Sequence, residues 1–278
     1  MMELFHKVSD RCNQLTAAAY STSFYSAIRL LHPDLRPAIC NIYGFVRFAD
    51  EIVDTFHDYK RAELLARFKD DTYRAIEEGI SLNPILHGFQ RTVRQYQIDL
   101  DLVAAFFRSM EADIDPQQHD CASYEQYIYG SAEVVGLMCL YVFCNGNSEL
   151  YKKLEAPARS LGAAFQKVNF LRDMNADYTQ LNRRYFPEVD FNNFTPRMKQ
   201  EIEADIAHDL QLAYVGILRL PVKARFGVYV AYKYYNSLFS KIRKTKPAII
   251  LTRRIRIPNY RKALIVMRAG VKNRLNLI

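Results

Sequence analysis

Residues 43–54 read Tyr43-Gly44-Phe45-Val46-Arg47-Phe48-Ala49-Asp50-Glu51-Ile52-Val53-Asp54 and combine two helical patterns. The first is apolar and predicts an α-helix with one buried face, formed by Ile42, Phe45, Val46, Ala49 and Val53. The second is polar, because Tyr43, Arg47, Asp50 and Asp54 follow one another at steps of four, three and four. Asp50 and Asp54 repel each other one turn apart, and burying them without partners would cost on the order of several kcal/mol. The polar stripe therefore predicts a bound cation, and a hard divalent ion such as Mg²⁺ fits best.

The same arrangement occurs again in residues 161–177. Gly162, Gln166, Asn169, Asp173 and Asp177 follow one another at steps of four, three, four and four, between apolar neighbours. If the two helices face each other, Asp50 and Asp54 lie across a cavity from Asp173 and Asp177. Metal ions between the two pairs could then hold a diphosphate.

The spacing Asp-x-x-x-Asp is weak evidence when taken alone. It also occurs at Asp54/Asp58 and at Asp205/Asp209, and a solvent-exposed face is the simpler explanation of any single instance. We assign Asp205 and Asp209 to such a face. The two long stripes differ because they contain polar residues that are unusual in a plain core helix, namely Arg47, Gln166, Asn169 and Arg172. Together the stripes favour a metal–diphosphate site.

Two longer motifs resemble the signature regions of squalene and phytoene synthases. Residues 43–54 read Tyr-x-x-x-Arg-x-x-Asp-Glu-Ile-Val-Asp, and residues 162–177 read Gly-x-Ala-x-Gln-x-x-Asn-x-Leu-Arg-Asp-x-x-x-Asp, followed by Arg-x-Tyr-Phe-Pro at residues 183–187. The resemblance extends over roughly residues 10 to 250. It implies an all-α isoprenoid synthase fold, with helices around a central apolar cavity and two aspartate-rich, magnesium-binding motifs at its mouth. Phe48 and Ala49 depart from the family, in which many members have a basic or polar residue there.

The resemblance also implies roles for individual residues. Metal binding is expected of Asp50, Glu51, Asp54, Asp173 and Asp177. Diphosphate binding is expected of Arg47 and Arg172, and Tyr43, Gln166 and Asn169 are expected to line the reacting centre. We expect Mg²⁺ as the ion, with Mn²⁺ as an alternative.

Other parts of the chain allow two interpretations each. Ser21, Ser23 and Phe24 fit either a helix cap or, by resemblance, contact with the first diphosphate. Tyr129 and Gly136 fit either core packing or the lining of a prenyl pocket.

The residues that end the second motif also allow two interpretations. Arg183 and Arg184 either lie in a solvated loop or cap the leaving group, and we take Arg184 and Tyr185 as substrate-binding. Tyr235 and the residues after it resemble a family segment with a tyrosine near the reacting carbons.

Composition agrees with an all-α protein. The chain has 278 residues, half of them hydrophobic, and only 10 Gly and 10 Pro, which favours long helices in one domain spanning residues 1–278. The longest apolar run has about eleven residues, 134–144, too few to span a bilayer. Five cysteines without a Cys-x-x-Cys pair favour a reduced cytoplasm, and the six histidines show no zinc spacing.

Charge is concentrated at the C-terminal end. The whole chain has 38 basic and 30 acidic residues, but residues 241–278 contain twelve Lys and Arg and no Asp or Glu. Interleaved isoleucines and leucines make this basic tail typical of a segment that lies on an anionic membrane, such as the inner face of the cytoplasmic membrane. A solvated tail and a nucleic-acid-binding tail are the alternatives, and we expect no nucleic-acid partner because no nucleic-acid module is recognisable.

The expected activity is the head-to-head condensation of two prenyl diphosphates through a cyclopropyl diphosphate. Two geranylgeranyl diphosphates giving phytoene, without NADPH, is the first expectation. A squalene or dehydrosqualene synthase using farnesyl diphosphate, and a non-catalytic relative on membranes, are the alternatives.

Overall fold

The computed structural model describes residues 1–115, 120–180, 183, 185–187, 189 and 193–275, and the secondary structure of these residues is entirely helical. The expected all-α class is therefore confirmed. The helices are α1 (Met2–Tyr20), α2 (Thr22–Ile28), α3 (Arg36–Asp54), α4 (Arg61–Glu78), α5 (Pro84–Tyr96), α6 (Leu100–Ala112), α7 (Cys121–Ile128), α8 (Val134–Cys144), α9 (Ser148–Gln180), α10 (Pro196–Arg219), α11 (Val222–Arg243), α12 (Pro247–Ile250) and α13 (Asn259–Arg274).

The helix α3 is the centre of the packing, as its apolar pattern predicts. Its Phe45 is fully buried and stacks on Phe89 of α5 with ring centroids 3.8 Å apart. Phe106 and Phe107 of α6 complete an aromatic cluster around Phe45, at 5.2 and 5.6 Å. This cluster fixes one face of α3 against α5 and α6, so the polar stripe must point away from it.

The long helix α9 packs closely on its neighbours through small residues. A Cβ atom on Gly162 would lie 2.6 Å from the carbonyl oxygen of Ala132, and one on Gly216 of α10 would lie 2.2 Å from the Cβ of Pro157. Any side chain at either position would force the helices apart. The close approach holds the second polar stripe at a fixed distance from the helices around it.

Helices α7 and α8 are joined by a π-helical turn, Tyr129–Glu133, into a run of 24 residues, Cys121–Cys144. By length and composition this run is apolar enough to cross a membrane, and no other helix in the described part of the chain is. The eleven apolar residues counted from the sequence are the C-terminal part of this longer helix. Half of its most apolar window is buried inside the protein, where it packs against α6 and α9, which is typical of a core helix.

The basic C-terminal segment is part of the folded body. Ile250 and Ile255 are buried, with 0% and 5% exposure, and α13 packs on α11. The charge pattern alone indicated a tail from residue 241, but its isoleucines anchor it in the core. The outer side of α13 is exposed, as are several charged residues before it, such as Lys244 and Arg253.

Candidate active site

A cavity of about 1010 Å³ opens between the two polar stripes. Its buried walls are apolar and include Leu31, Leu140, Leu154 and Ile217. The structure brings most of the candidate residues into its lining: Ser21, Ser23, Phe24, Tyr43, Arg47, Asp50, Asp54, Gly136, Gln166, Asn169, Arg172, Asp173, Asp177, Tyr185 and Tyr235. Glu51 and Tyr129 are not part of it, and Arg184 falls outside the described residues.

Arg47 organises the carboxylates of α3. Its guanidinium lies 3.6 Å from Asp50 and forms an ion pair with Glu51, which is only 14% exposed. The guanidinium also lies over the ring of Tyr20, 4.5 Å from the centroid. Glu51 therefore contacts Arg47 and does not line the cavity, and its ion pair positions the Arg47 guanidinium.

Arg183 connects Asp54 to a further acid that the sequence did not single out. Its Nη1 donates to Asp54 at 2.5 Å, and its Nε lies 3.4 Å from Asp113. Arg183 is only 5% exposed, so the interpretation as a solvated loop residue is wrong. Asp113 in turn accepts a hydrogen bond of 2.7 Å from the hydroxyl of Tyr127.

Asp173 on α9 is held by two arginines. Nη2 of Arg172 donates to it at 2.5 Å, and Arg254, from the segment between α12 and α13, approaches it at 2.7 Å. Asp177, one turn further along, is held close to Arg183, because the backbone N–H of Arg183 donates to the carbonyl of Asp177 at 2.9 Å.

Three carboxyl groups of the cavity, those of Asp50, Asp113 and Asp177, have raised pKa values. The pKa of Asp50 is raised by burial and, second, by the charge of Asp54. The pKa of Asp177 is raised to about 7 by burial and, second, by the charge of Asp173. Burial also raises the pKa of Asp113 to about 7, against the lowering effect of Arg183. In each stripe, burial and next the charge of a second carboxylate one turn away outweigh the nearby arginines at one residue, Asp50 or Asp177.

This donor set fits a hard divalent cation. Asp50, Asp54, Asp173 and Asp177 offer carboxylate oxygens to the cavity, and added positive charge would stabilise their ionised forms. Among the described residues, no three His, Cys, Asp or Glu side chains already converge as a complete metal site. An ion held here would complete its coordination with water and diphosphate oxygens, which is the usual manner of Mg²⁺.

An aromatic layer lies beside the carboxylates. Tyr235 of α11 stacks on Phe165 with centroids 3.8 Å apart, and Phe24 lies 5.7 Å from the ring of Tyr235. The hydroxyl of Tyr235 donates to Asn169 at 3.2 Å, and Gln166 donates to Ser131 at 3.4 Å. The polar groups of α9 therefore hold a π-rich surface in place.

Two ambiguous segments combine a packing or capping contact with a place in the cavity lining. Ser21 caps α2 by accepting a hydrogen bond of 3.2 Å from the N–H of Phe24, and both residues also line the cavity. Gly136 lines the cavity as well, and a Cβ there would meet the carbonyl of Ala158 at 2.9 Å. Tyr129 instead receives the guanidinium of Arg159 over its ring at 5.1 Å.

Comparison with known proteins agrees with the site. A family model described as squalene/phytoene synthase matches residues 17–261. This chain belongs to the squalene/phytoene synthase family. The resemblance inferred from the two motifs is thereby confirmed.

Individual relatives of this chain are named for different products. The chain is 31% identical over 201 residues to a presqualene diphosphate synthase of Sinorhizobium fredii, covering 69% of this chain and 68% of the relative. It is 25% identical over 294 residues to a phytoene synthase of Arthrospira platensis, covering 96% and 93%. A crystal structure of a dehydrosqualene synthase in complex with a ligand superposes with a TM-score of 0.82 at 18% identity, covering 97% and 98%, which establishes the shared fold.

The cavity is also lined by cations that the sequence analysis placed in the basic tail. Arg254, Arg256 and Lys262 line the mouth, although their segment read as a membrane-binding tail. Lys262 donates to the hydroxyl of Thr22 at 2.9 Å and thereby joins the C-terminal segment to α2. The only sequence signal was the alternation Arg254-Ile255-Arg256-Ile257, in which an extended segment can bury one side and present charge on the other.

Proposed function

We propose that this synthase is a magnesium-dependent enzyme that joins two geranylgeranyl diphosphates head to head to give phytoene. Its family supports head-to-head prenyl diphosphate condensation, and its members are prenyltransferase-type synthases. One observation supports the proposal above all: two carboxylate pairs line a large cavity whose other walls are largely apolar. Such a cavity accommodates long hydrocarbon chains inside while their charged ends stay at the mouth.

In the proposed reaction, the cations of the mouth bind and orient the diphosphates. Arg47, Arg172, Arg254 and Lys262 all line this region, and guanidinium groups bind phosphate oxygens with two parallel hydrogen bonds. Asp50, Asp54, Asp173 and Asp177 would hold Mg²⁺, which neutralises a diphosphate leaving group when bound.

The interior stabilises the carbon framework after diphosphate leaves. The ring faces of Phe24, Phe165 and Tyr235 lie together and can stabilise an allylic cation, and the apolar walls exclude water that would capture it. The cation meets the double bond of the second substrate, and loss of a proton closes a cyclopropyl diphosphate. A second ionisation and rearrangement, followed by loss of a proton, give phytoene without NADPH.

A second candidate is supported by a relative. The presqualene diphosphate synthase of Sinorhizobium fredii is 31% identical, so farnesyl diphosphate is the alternative donor, with squalene or dehydrosqualene as the final hydrocarbon. A non-catalytic relative is the third candidate, but this chain keeps all five acidic residues of the two motifs. We further propose that the enzyme acts in the cytoplasm at the inner membrane surface, because its substrates and products contain long hydrocarbon chains.

The test is to incubate the purified protein with magnesium and either farnesyl or geranylgeranyl diphosphate, with and without NADPH, and to identify the hydrocarbon by mass spectrometry. We expect phytoene from geranylgeranyl diphosphate without NADPH. A product only from farnesyl diphosphate would replace the proposal by squalene or dehydrosqualene synthesis, according to the need for NADPH. No product from either donor would contradict an enzymatic function, and equal turnover in EDTA would contradict the requirement for magnesium.

A further inference from the structure

The outer face of α13 is an unpartnered apolar stripe. Tyr260, Leu264, Met267 and Val271, followed by Leu275 just beyond the helix, are 68%, 39%, 62%, 59% and 63% exposed. The opposite face of α13 packs on the protein, where Ala269 is buried and Ile265 and Val266 are partly buried. At about 100° per residue the stripe occupies a sector of about 80°. The stripe is thus separate from the face that holds α13 in the fold.

Positive charges flank this stripe on both sides. Arg261, Arg268 and Lys272 follow one edge and Arg274 the other, and all four are exposed. Within the part of the chain that the structure describes, none of them forms an ion pair. Residues 241–278 contain no acidic residue to offset them. An apolar stripe bordered by uncompensated cations is complementary to a surface that is apolar inside and negative outside.

The start of α13 lies at the mouth of the cavity. Asn259 and Lys262 in its first turn line the cavity, and Lys262 contacts Thr22 on the facing side. A surface that engages the stripe would therefore lie beside the opening through which substrates enter.

We propose that α13 docks this protein on bilayers that contain anionic phospholipids, with Tyr260, Leu264, Met267, Val271 and Leu275 inserted between the headgroups and the flanking cations bound to them. This inference rests on the proposed function, because prenyl diphosphates with long chains partition into membranes. The docked helix places the cavity mouth at the bilayer surface and shortens the path of a hydrocarbon through water.

Another exposed apolar set on the molecule provides a natural control. Leu4 and Leu15 of α1 are 67% and 70% exposed, so they match the α13 stripe in exposure. Their helix has mixed charges, and Glu3 pairs with Lys7 at 2.7 Å. It therefore offers apolar surface without an excess of positive charge.

The experiment is sedimentation of the full-length protein with vesicles of phosphatidylcholine alone or mixed with phosphatidylglycerol. We expect binding to the anionic vesicles that weakens with salt, and little binding to the neutral ones. M267S/V271S and, separately, R268Q/K272Q should each weaken binding at least about tenfold. L4S/L15S and the charge-matched R67Q/K152Q should bind as the unchanged protein does. Circular dichroism before sedimentation confirms that each variant is folded.

Three outcomes would overturn the inference. One is equal binding by M267S/V271S and by R268Q/K272Q, and another is the absence of binding to anionic vesicles. The third is a dimer in analytical ultracentrifugation that M267S/V271S dissociates, because a second copy would then cover the stripe. Turnover of detergent-dispersed substrate by the unchanged protein separates this inference from the proposed function. Vesicle binding that depends on the α13 stripe, without turnover, would contradict only the function, and turnover without vesicle binding would contradict only this inference.

Discussion

Two Asp-x-x-x-Asp pairs of identical spacing have opposite surroundings in this protein. Asp205 and Asp209 on α10 share one cation, Lys167 of α9, at 2.5 and 2.7 Å. Asp173 and Asp177 on α9 instead line the cavity, and the charge of Asp173 helps to raise the pKa of Asp177. The first pair closes a contact between two helices, whereas the second lines the cavity together with the arginines that hold Asp173.

The exposure of the Asp205/Asp209 pair differs from the expectation of a solvent-exposed face. Asp205 is 53% exposed, but Asp209 is only 13% exposed and Lys167 only 11%, so the solvated face predicted for this pair is wrong for Asp209. The spacing only places two carboxylates on one side of a helix. Whether they form a structural cluster or a ligand site depends on what the facing helix supplies.

The largest difference in turnover is expected when one aspartate of each Asp-x-x-x-Asp pair is replaced by asparagine. Asp173→Asn should lower turnover at least about a thousandfold, because metal-ion chemistry contributes several kcal/mol and each 1.36 kcal/mol is about a factor of ten. Asp209→Asn should leave turnover per folded molecule within about twofold, because it lies away from the cavity. Steady-state rates with prenyl diphosphate, on variants with unchanged circular dichroism, measure both. Equal losses in the two variants would end the distinction.

A smaller effect concerns the free energy of unfolding. Lys167→Met should lower it by about 3 kcal/mol, because Asp209 would stay largely buried without its cation. Lys153→Met on the same helix is the matched control: Lys153 pairs with Glu149 at 2.6 Å, but the two are 65% and 79% exposed. That exposed pair should contribute less than about 0.5 kcal/mol. Urea unfolding of both variants gives the comparison, and similar losses would show that burial does not distinguish the pairs.

The smallest effect is the pH dependence of stability without metal. The folded-state pKa values of Asp50 and Asp177 are raised. The two carboxyl groups therefore contribute fully to the free energy of unfolding below their unfolded-state pKa, and this contribution is lost as pH rises through about 7. Between about pH 5.5 and 8, Asp50→Asn should reduce this loss by about 1 kcal/mol, a figure lowered for solvent screening because Asp50 is 35% exposed.

Urea unfolding at both pH values measures this slope. Glu149→Gln, at an exposed carboxylate, serves as the control and should leave the slope unchanged. A slope in Asp50→Asn equal to that of the unchanged protein would contradict the raised pKa of Asp50.

The helices and their polar stripes could be predicted because both depend on local periodicity. The apolar positions of α3 and the steps of four and three from Gly162 to Asp177 determine which sides face the core and which face the cavity. The family resemblance then related the two stripes to each other. Residues on these regular helices, such as Asn169 and Tyr235, accordingly lie in the cavity lining.

The remaining contacts could not be predicted because they join distant segments through irregular backbone. Arg183 and Asp54 are 129 residues apart, and no periodicity relates them. Arg254 could not be singled out because it belongs to a long basic segment whose overall charge suggested a tail. Its position is set by the neighbouring Ile255, which is buried. For Glu51, the position in the motif predicted a metal ligand, whereas in the structure its side chain forms an ion pair with Arg47.

The contact between Lys262 and Thr22 joins residues 240 positions apart at the mouth. During synthesis, the N-terminal helices emerge from the ribosome long before residues 254–262. The carboxylate of Asp173 can therefore pair with Arg254 only after residues 254–262 have been synthesised, and the cavity acquires Arg254 and Lys262 at that late stage. We expect ribosome-bound chains stalled before residue 250 to contain folded α3, α5 and α6 but to lack a finished site.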